Sequence, residues 1–284
     1  MTALAATTDL VKRYGSVNAV DHVSLAVGRG EVVGLLGANG AGKTTLIRCL
    51  LGLISPTAGS VTLIGGPPTR DRLRRVGYVP QGLGLYTDLT IAENLGFRRG
   101  IFGGEPVVLD PELAPRADVV VKNLPLGMQR RAAFAAALAH GPDLLVLDEP
   151  TSGVGVLARA RLWDTIRDNA DRGGGVLVTT HHLEEAEQCD RLVMLSAGGV
   201  AAAGSLADVI GGRTAIVAAG ADPAAMLAAL DRAGIDASLM GRRVRAPGAD
   251  RHAVAQALTA SGIEARLEEV PATLEEAFIA RVAP

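Results

Sequence analysis

Short apolar runs bounded by glycine and proline alternate along this chain with stretches whose apolar residues recur at helical spacing. Residues 32–36 (VVGLL) are mostly apolar with β-branched members, and residues 45–51 (TLIRCLL) follow at helical spacing, so the stretch reads strand, loop, helix. Ahead of it, residues 9–27 predict short strands, with Tyr14-Gly15 as a turn and alternation in SLAV at 24–27. Residues 59–64 and 75–79 predict two more strands, the second ending at Pro80-Gln81. The spacing of Leu89, Ile91, Leu95 and Phe97 predicts a helix from Tyr86 to Phe102, and Pro106, Pro111, Pro115 and Pro125 break any long helix beyond it. Residues 128–139 (MQRRAAFAAALA) predict a strong helix that stops at Gly141-Pro142. Residues 143–150 (DLLVLDEP) predict a buried strand ending in two carboxylates, and residues 175–180 a buried strand ending in His181-His182.

Past residue 208 the pattern changes to an internal repeat. DPAAMLAALDRAGIDASL from Asp222 returns as DRHAVAQALTASGIEARL from Asp250, offset by 28 positions, each copy reading helix, glycine stop, strand. With leading strands at 214–219 and 243–247 the order is βαββαβ, which predicts a small α+β, ferredoxin-like domain. Residues 272–282 predict a closing amphipathic helix with Thr273 as N-cap and Glu275-Glu276 in its first turn.

Composition narrows this to one large α/β domain and one small one. The 284 residues exceed a minimal domain, and 48% hydrophobic with only 3% aromatic residues means a core of Val, Leu, Ile and Ala, which suits a parallel sheet covered by helices. A net charge of −2 offers no support for nucleic-acid binding. Cys49 and Cys189 stand far apart without metal-ligand spacing and read as free buried thiols. Residues 1–8 have no basic start or long apolar run, so no secretory leader is expected. The longest uncharged stretch of interest, from Cys49 to Thr69, is broken by glycines and prolines, so no membrane span is expected either.

The chemistry begins at residues 37–44, GANGAGKT, which satisfy G-x-x-x-x-G-K-[ST] in the strand–loop–helix context that gives the pattern meaning. Gly37, Gly40 and Gly42 let the backbone turn its N–H groups onto one anion, the helix N-terminus adds positive potential and Lys43 adds a full charge. Thr44 is placed to hold a Mg²⁺ bridging the outer phosphates. Asp148 and Glu149 end a parallel strand at the mouth of the sheet, Asp148 to order the metal shell and Glu149 to take a proton from an attacking water. Of the two histidines ending the next strand, one is expected at a phosphate. On position alone, Tyr14 fits equally a base-stacking ring and a half-buried ring at a sheet edge.

Taken in order, Tyr14, GANGAGKT, Gln81, LLVLDEP followed by TSG, and TTHHLEEAE at 179–187 resemble the nucleotide-binding subunits of ABC transporters, over about residues 9–208. That resemblance implies an ABC-type P-loop domain at 1–208 with a helical subdomain at about 82–142, and an accessory domain at 209–284. It implies ATP and Mg²⁺ as cofactors. The nucleotide contacts would be Tyr14, Gly37, Asn39, Gly40, Ala41, Gly42, Lys43, Thr44 and Thr45, with Thr44, Gln81 and Asp148 toward the metal. Catalysis would fall to Glu149, His181, Gln81 and Lys43. It further implies a membrane-spanning permease, a second ATPase subunit across a homodimer or heterodimer, and a peripheral place at the inner face of the membrane. The C-terminal Leu-Glu-Glu-Ala-Phe resembles the ending of bacterial ATPases serving two-component exporters of drugs and lipids, whose accessory domain either stabilises the dimer or regulates it.

Three departures accompany the resemblance. The signature Leu-Ser-Gly-Gly-Gln/Met, which meets the partner's nucleotide, reads LPLGM at 124–128, so Pro125 lacks both hydroxyl and N–H, and Leu126 adds bulk. Gly155 stands where the family has an aspartate. Residues 102–116 are about a helix short, next to the groove that would receive the permease. Groups acting within the chain are complete while those offered to a partner are reduced, which points to pairing with a different subunit; a weakly hydrolysing homodimer is the simpler alternative, and a regulatory nucleotide-holding subunit is the reading from another class.

Overall fold

A computed structural model describes residues 3–103 and 107–282; Pro106, one of the expected helix breakers, lies outside them. The chain divides into two compact units, Met1–Ala203 and Gly204–Pro284, a few residues ahead of the boundary at 208 read from composition.

In the first unit, β1 (Ala5–Tyr14) and β2 (Val17–Val27) form one long antiparallel hairpin closed by the Tyr14–Val17 pair, longer than the short strands expected. Next come β3 (Val32–Gly37), α1 (Lys43–Leu50), β4 (Ala58–Leu63), α2 (Arg70–Leu73), β5 (Val76–Val79) and α3 (Ile91–Phe102). The unit continues with α4 (Leu126–Leu138), β6 (Leu144–Asp148), α5 (Val156–Asp171), β7 (Gly175–Thr180), α6 (Leu183–Ala186), β8 (Arg191–Ser196) and β9 (Gly199–Gly204). Strands β2-β1-β4 make one sheet and β5-β6-β7-β3-β8-β9 another, whose pairs from β5 to β8 are parallel. Every residue of β3, β6 and β7 is buried, which is why these strands read as continuous apolar runs without alternation. Helix α1 supplies Leu46, Ile47 and Leu50 to a core that joins both sheets, including Val20, Val23, Leu35 and Val146. Leu162, Trp163, Ile166 and Ala170 form the buried stripe of α5, which packs against β7 and β3.

Two helix starts differ from the periodicity. Helix α3 begins at Ile91 instead of near Tyr86, because Thr90 and Glu93 form a capping box and the buried Asn94 side chain bonds Tyr86 N–H, Tyr86 C=O and Thr90 C=O. Those bonds hold residues 86–90 as a turn. Helix α4 begins two residues before Met128, with Pro125 at its N-cap, where a missing N–H costs the helix nothing. Between them, residues 107–123 contain irregular chain and turns, two single-turn 3-10 helices, Ala114–Arg116 and Val121–Asn123, and one antiparallel bridge from Val120 to Thr90, in keeping with Pro111 and Pro115. Ile91, Leu113, Val121, Leu124 and Ala132 bind this stretch to α3 and α4.

The second unit contains α7 (Leu206–Ile210), β10 (Thr214–Gly220), α8 (Pro223–Arg232), β11 (Ser238–Met240), β12 (Arg243–Pro247), α9 (Arg251–Ala260), β13 (Ala265–Pro271) and α10 (Leu274–Val282). Its strands pair antiparallel in the order β11-β12-β10-β13. Repeat and structure coincide: Asp222 and Asp250 cap α8 and α9 with their carboxylates, and Gly234 and Gly262 follow both helices with φ of 69° and 71°. Ile216, Ala218, Met226, Leu230, Val254 and Leu258 form the core between sheet and helices. Arg245, the cross-strand neighbour of Val217, pairs with Glu276 in the first turn of α10, and that guanidinium holds the Glu276 carboxyl below its usual pKa.

Candidate active site

The chain reverses strand order around β3, whose neighbours are β7 on one side and β8 on the other. Leu36 is level with Thr180, and Thr179 with Asp148, so the C-terminal ends of β3, β6 and β7 open on the same edge of the sheet. The residues after those ends are the glycine loop, Glu149 and His181. Strand β5 runs parallel beside β6 with Val79 level with Leu147, so Gln81 leaves the sheet on that edge too.

Gly42 sets the geometry where the loop enters α1. Its φ is 103°, and an added Cβ would lie 2.3 Å from the carbonyl oxygen of Ala19 in β2. An L-residue here must both leave the left-handed region and push a strand away. Gly42→Ala is therefore expected to weaken ATP binding at least roughly tenfold through displacement of the α1 N-terminus; titration with a fluorescent nucleotide checks it, and wild-type affinity would show that the loop tolerates the shift.

Lys43 is 4% exposed, and its Nζ lies 2.8 Å from Gly37 O, 3.2 Å from Ala38 O and 3.3 Å from Glu149 Oε1. The loop thus curls back over its own lysine. The other Glu149 oxygen, Oε2, is 3.4 Å from His181 Nδ1, giving a line Lys43–Glu149–His181 across the ends of three strands. Glu149 has φ 49°, a strained value for a non-glycine residue. Its N–H donates to Thr179 Oγ1 at 2.8 Å, and that hydroxyl donates to Asp148 Oδ1 at 2.8 Å. Thr179 thereby fixes the backbone of one acid and the carboxylate of the other.

Gln81 is exposed, while its backbone carbonyl accepts from the buried Arg130 guanidinium at 3.0 Å. Asp148 is 1% exposed and Thr44 half-buried at the start of α1. Hydroxyl, carboxylate and side-chain amide oxygens are the hard donors Mg²⁺ takes, so the chemistry of this donor set fits the metal, whose charge would add to that of Lys43 in offsetting phosphate. Tyr14 is 51% exposed at the end of β1 with Lys12 Nζ 5.1 Å from its ring centre, on the hairpin whose second strand abuts Gly42 through Ala19.

At the signature segment, Pro125 and Gly155 are the N-caps of α4 and α5, and neither supplies a side-chain cap bond. Leu126 is 40% exposed; a Cβ on Gly153 would come 3.0 Å from its Cδ2, and one on Gly127 would come 2.9 Å from Ala158 Cβ, so the two helix starts pack on each other. Three residues escape the sequence reading. Thr179 opens the TTHHLEEAE stretch, but nothing in that stretch assigns it a role. Glu185, 1% exposed, accepts from Thr151 and Thr180 hydroxyls at 2.6 and 2.7 Å and ties the turn after Glu149 to the turn bearing His181. Arg130 did leave a signal: it shares the buried stripe of α4 with Ala133, Phe134 and Ala137, where a charge is out of place.

A glycine loop after the central strand, with paired acids at the end of a parallel strand two places away in the sheet, defines a P-loop nucleoside-triphosphate hydrolase. The family description "ABC transporter" matches residues 20–152. A Nod factor export ATP-binding protein I from Burkholderia orbicola is 43% identical over 231 residues, covering 76% of this chain and 76% of that one. The probable multidrug ABC transporter ATP-binding protein YbhF of Escherichia coli is 38% identical over 213 residues, 71% of this chain, which spans only 37% of YbhF's length. A solved ATP-binding subunit of an ABC transporter superposes with a TM-score of 0.67 at 32% identity, covering 72% of this chain and 91% of the other. The chain belongs to the ABC transporter family, and over the matched length it is similar to that family's ATP-binding proteins.

Proposed function

We propose that this chain binds ATP with Mg²⁺ and hydrolyses it to drive export of a substrate through a separate membrane-spanning permease, seated peripherally on the inner face of the membrane. The observation that carries the reading is the line Lys43–Glu149–His181, since each member has a distinct task in γ-phosphate hydrolysis. Among the described residues no helix is long and apolar enough to cross a membrane, and in this reading a separate chain supplies the channel. A relative named for Nod factor export supports the direction of transport.

In this mechanism the N–H groups of residues 37–45 and Lys43 bind the phosphates, with Asn39, Ala41 and Thr45 as part of that cradle and Tyr14 stacking on the base. Thr44, Asp148 and Gln81 would hold Mg²⁺, which when bound neutralises charge on the outer phosphate oxygens. As Lys43 turns to phosphate it leaves Glu149 Oε1, now free to accept a proton from water, while His181 stays at Oε2 and orients the carboxylate. Residues 1–208 form the ATP-binding domain, with its helical subdomain at about 82–142. Residues 209–284 form a ferredoxin-like sandwich that steadies the dimer. Nucleic acid has no part in the assembly.

Co-expression with a candidate permease tests the proposal: the two are expected to co-purify from detergent-solubilised membranes, and permease-containing vesicles to change the chain's ATPase rate. A chain that never enters the membrane fraction and turns over identically with and without the permease sinks the transport reading. A second reading, a catalytically weak or regulatory subunit of a heterodimeric ATPase, is favoured by Pro125 and Gly155 at the two helix starts. It predicts ATP binding without turnover until a subunit with a complete signature is added.

A further inference from the structure

Arg130 is 6% exposed, on a helix face otherwise made of Ala133, Phe134 and Ala137. A guanidinium in such a place is usually matched by a carboxylate, yet no ion pair joins Arg130 among the described residues. Its bonds go to backbone: one terminal nitrogen donates to Gln81 O at 3.0 Å and the other to Gly82 O at 3.1 Å, while Nε is buried with no partner. Burial pulls its pKa down, opposed by the nearby Glu149 charge, which places the cation within the field of the site. The fold gains little from a half-satisfied buried charge. The loop gains a fixed origin, since Gln81 itself is exposed and among the described residues makes no other hydrogen bond.

We infer that Arg130 is the positioning residue for Gln81: its fork holds the two successive carbonyls of residues 81 and 82 against α4, so that the amide of Gln81 is presented to the metal side of the site from a fixed backbone. The inference rests on the reading of Gln81 as a Mg²⁺ contact. Because α4 begins at the signature segment, the loop and the surface offered to a partner subunit then move as one body. Lysine substitutes only in part, because a single ammonium does not span two carbonyls in one plane as the guanidinium does.

The test is binding of a fluorescent ATP analogue to the full chain, first in excess EDTA and then across a Mg²⁺ titration, for wild type, Arg130→Ala, Arg130→Lys, Gln81→Ala and the Arg130→Ala/Gln81→Ala double variant. Arg130→Ala and Gln81→Ala are each expected to raise the Mg²⁺ half-saturation roughly tenfold, the scale of one lost charge-assisted contact. Metal-free affinity should stay within about twofold of wild type, and the double variant should be no worse than Gln81→Ala. Arg130→Lys should fall between, and it carries the test if the alanine variant does not fold. Wild-type half-saturation in the Arg130 variants beside a shifted Gln81→Ala overturns the inference and leaves the Gln81 reading standing. No shift in Gln81→Ala removes both. Equal losses with and without Mg²⁺, or additive effects in the double variant, reduce Arg130 to a packing residue and also overturn it.

Discussion

Replacing Glu149 with glutamine is expected to cut steady-state ATP hydrolysis by roughly 10²- to 10⁴-fold, the usual worth of a positioned general base, while ATP still binds. The geometry separates the two effects. Glutamine keeps the shape that bridges Lys43 Nζ at 3.3 Å and His181 Nδ1 at 3.4 Å, but it loses the charge that competes with phosphate for the lysine. Nucleotide affinity should therefore be unchanged or tighter, with the loss confined to turnover. Phosphate release and a fluorescent-nucleotide titration on the same preparation check both halves. Turnover within a few-fold of wild type would remove Glu149 from its role and transfer the search for a base to another group.

Rebuilding the signature by Pro125→Ser with Leu126→Gly is expected to raise hydrolysis by the isolated chain on the order of a hundredfold, the worth of one well-aimed donor at a transition state. Serine at an N-cap supplies the capping oxygen that Pro125 lacks, offsetting the roughly 1 kcal/mol that glycine at the first helical position costs. Removing the Leu126 side chain also clears the bulk that now lies over Gly153. The gain appears only if two copies of this chain face each other. No gain in the isolated variant, with activation by an added ATPase subunit, would mean that LPLGM normally faces a nucleotide that is not meant to turn over.

The strong elements were legible for reasons that reside in local sequence. Strands β3, β6 and β7 are buried on both faces, so each appears as an uninterrupted apolar run, and the glycine loop needs its residue types at fixed spacing whatever surrounds it. The repeat of the second unit was equally open, because each copy carries its own aspartate cap and glycine stop. Helix starts were less so. Asn94 pins residues 86–90 as a turn through bonds that no periodicity shows, and α4 extends back to Leu126 because Pro125 caps as well as it breaks.

By itself the sequence determined which groups are candidates to meet a nucleotide: Lys43 and Thr44 follow the loop in the chain, Asp148 and Glu149 adjoin, and His181 ends a strand. Tertiary structure alone decided how they meet. Parallel pairing levels Leu36 with Thr180 and Asp148 with Thr179, so residues more than a hundred positions apart share one edge, and Glu149 comes to lie between Lys43 and His181. The same is true of Arg130 beneath Gln81 and of Thr179 between the two acids. These are contacts between elements, set by strand register and helix packing, and a side chain's neighbours across such a boundary leave no period in its own segment.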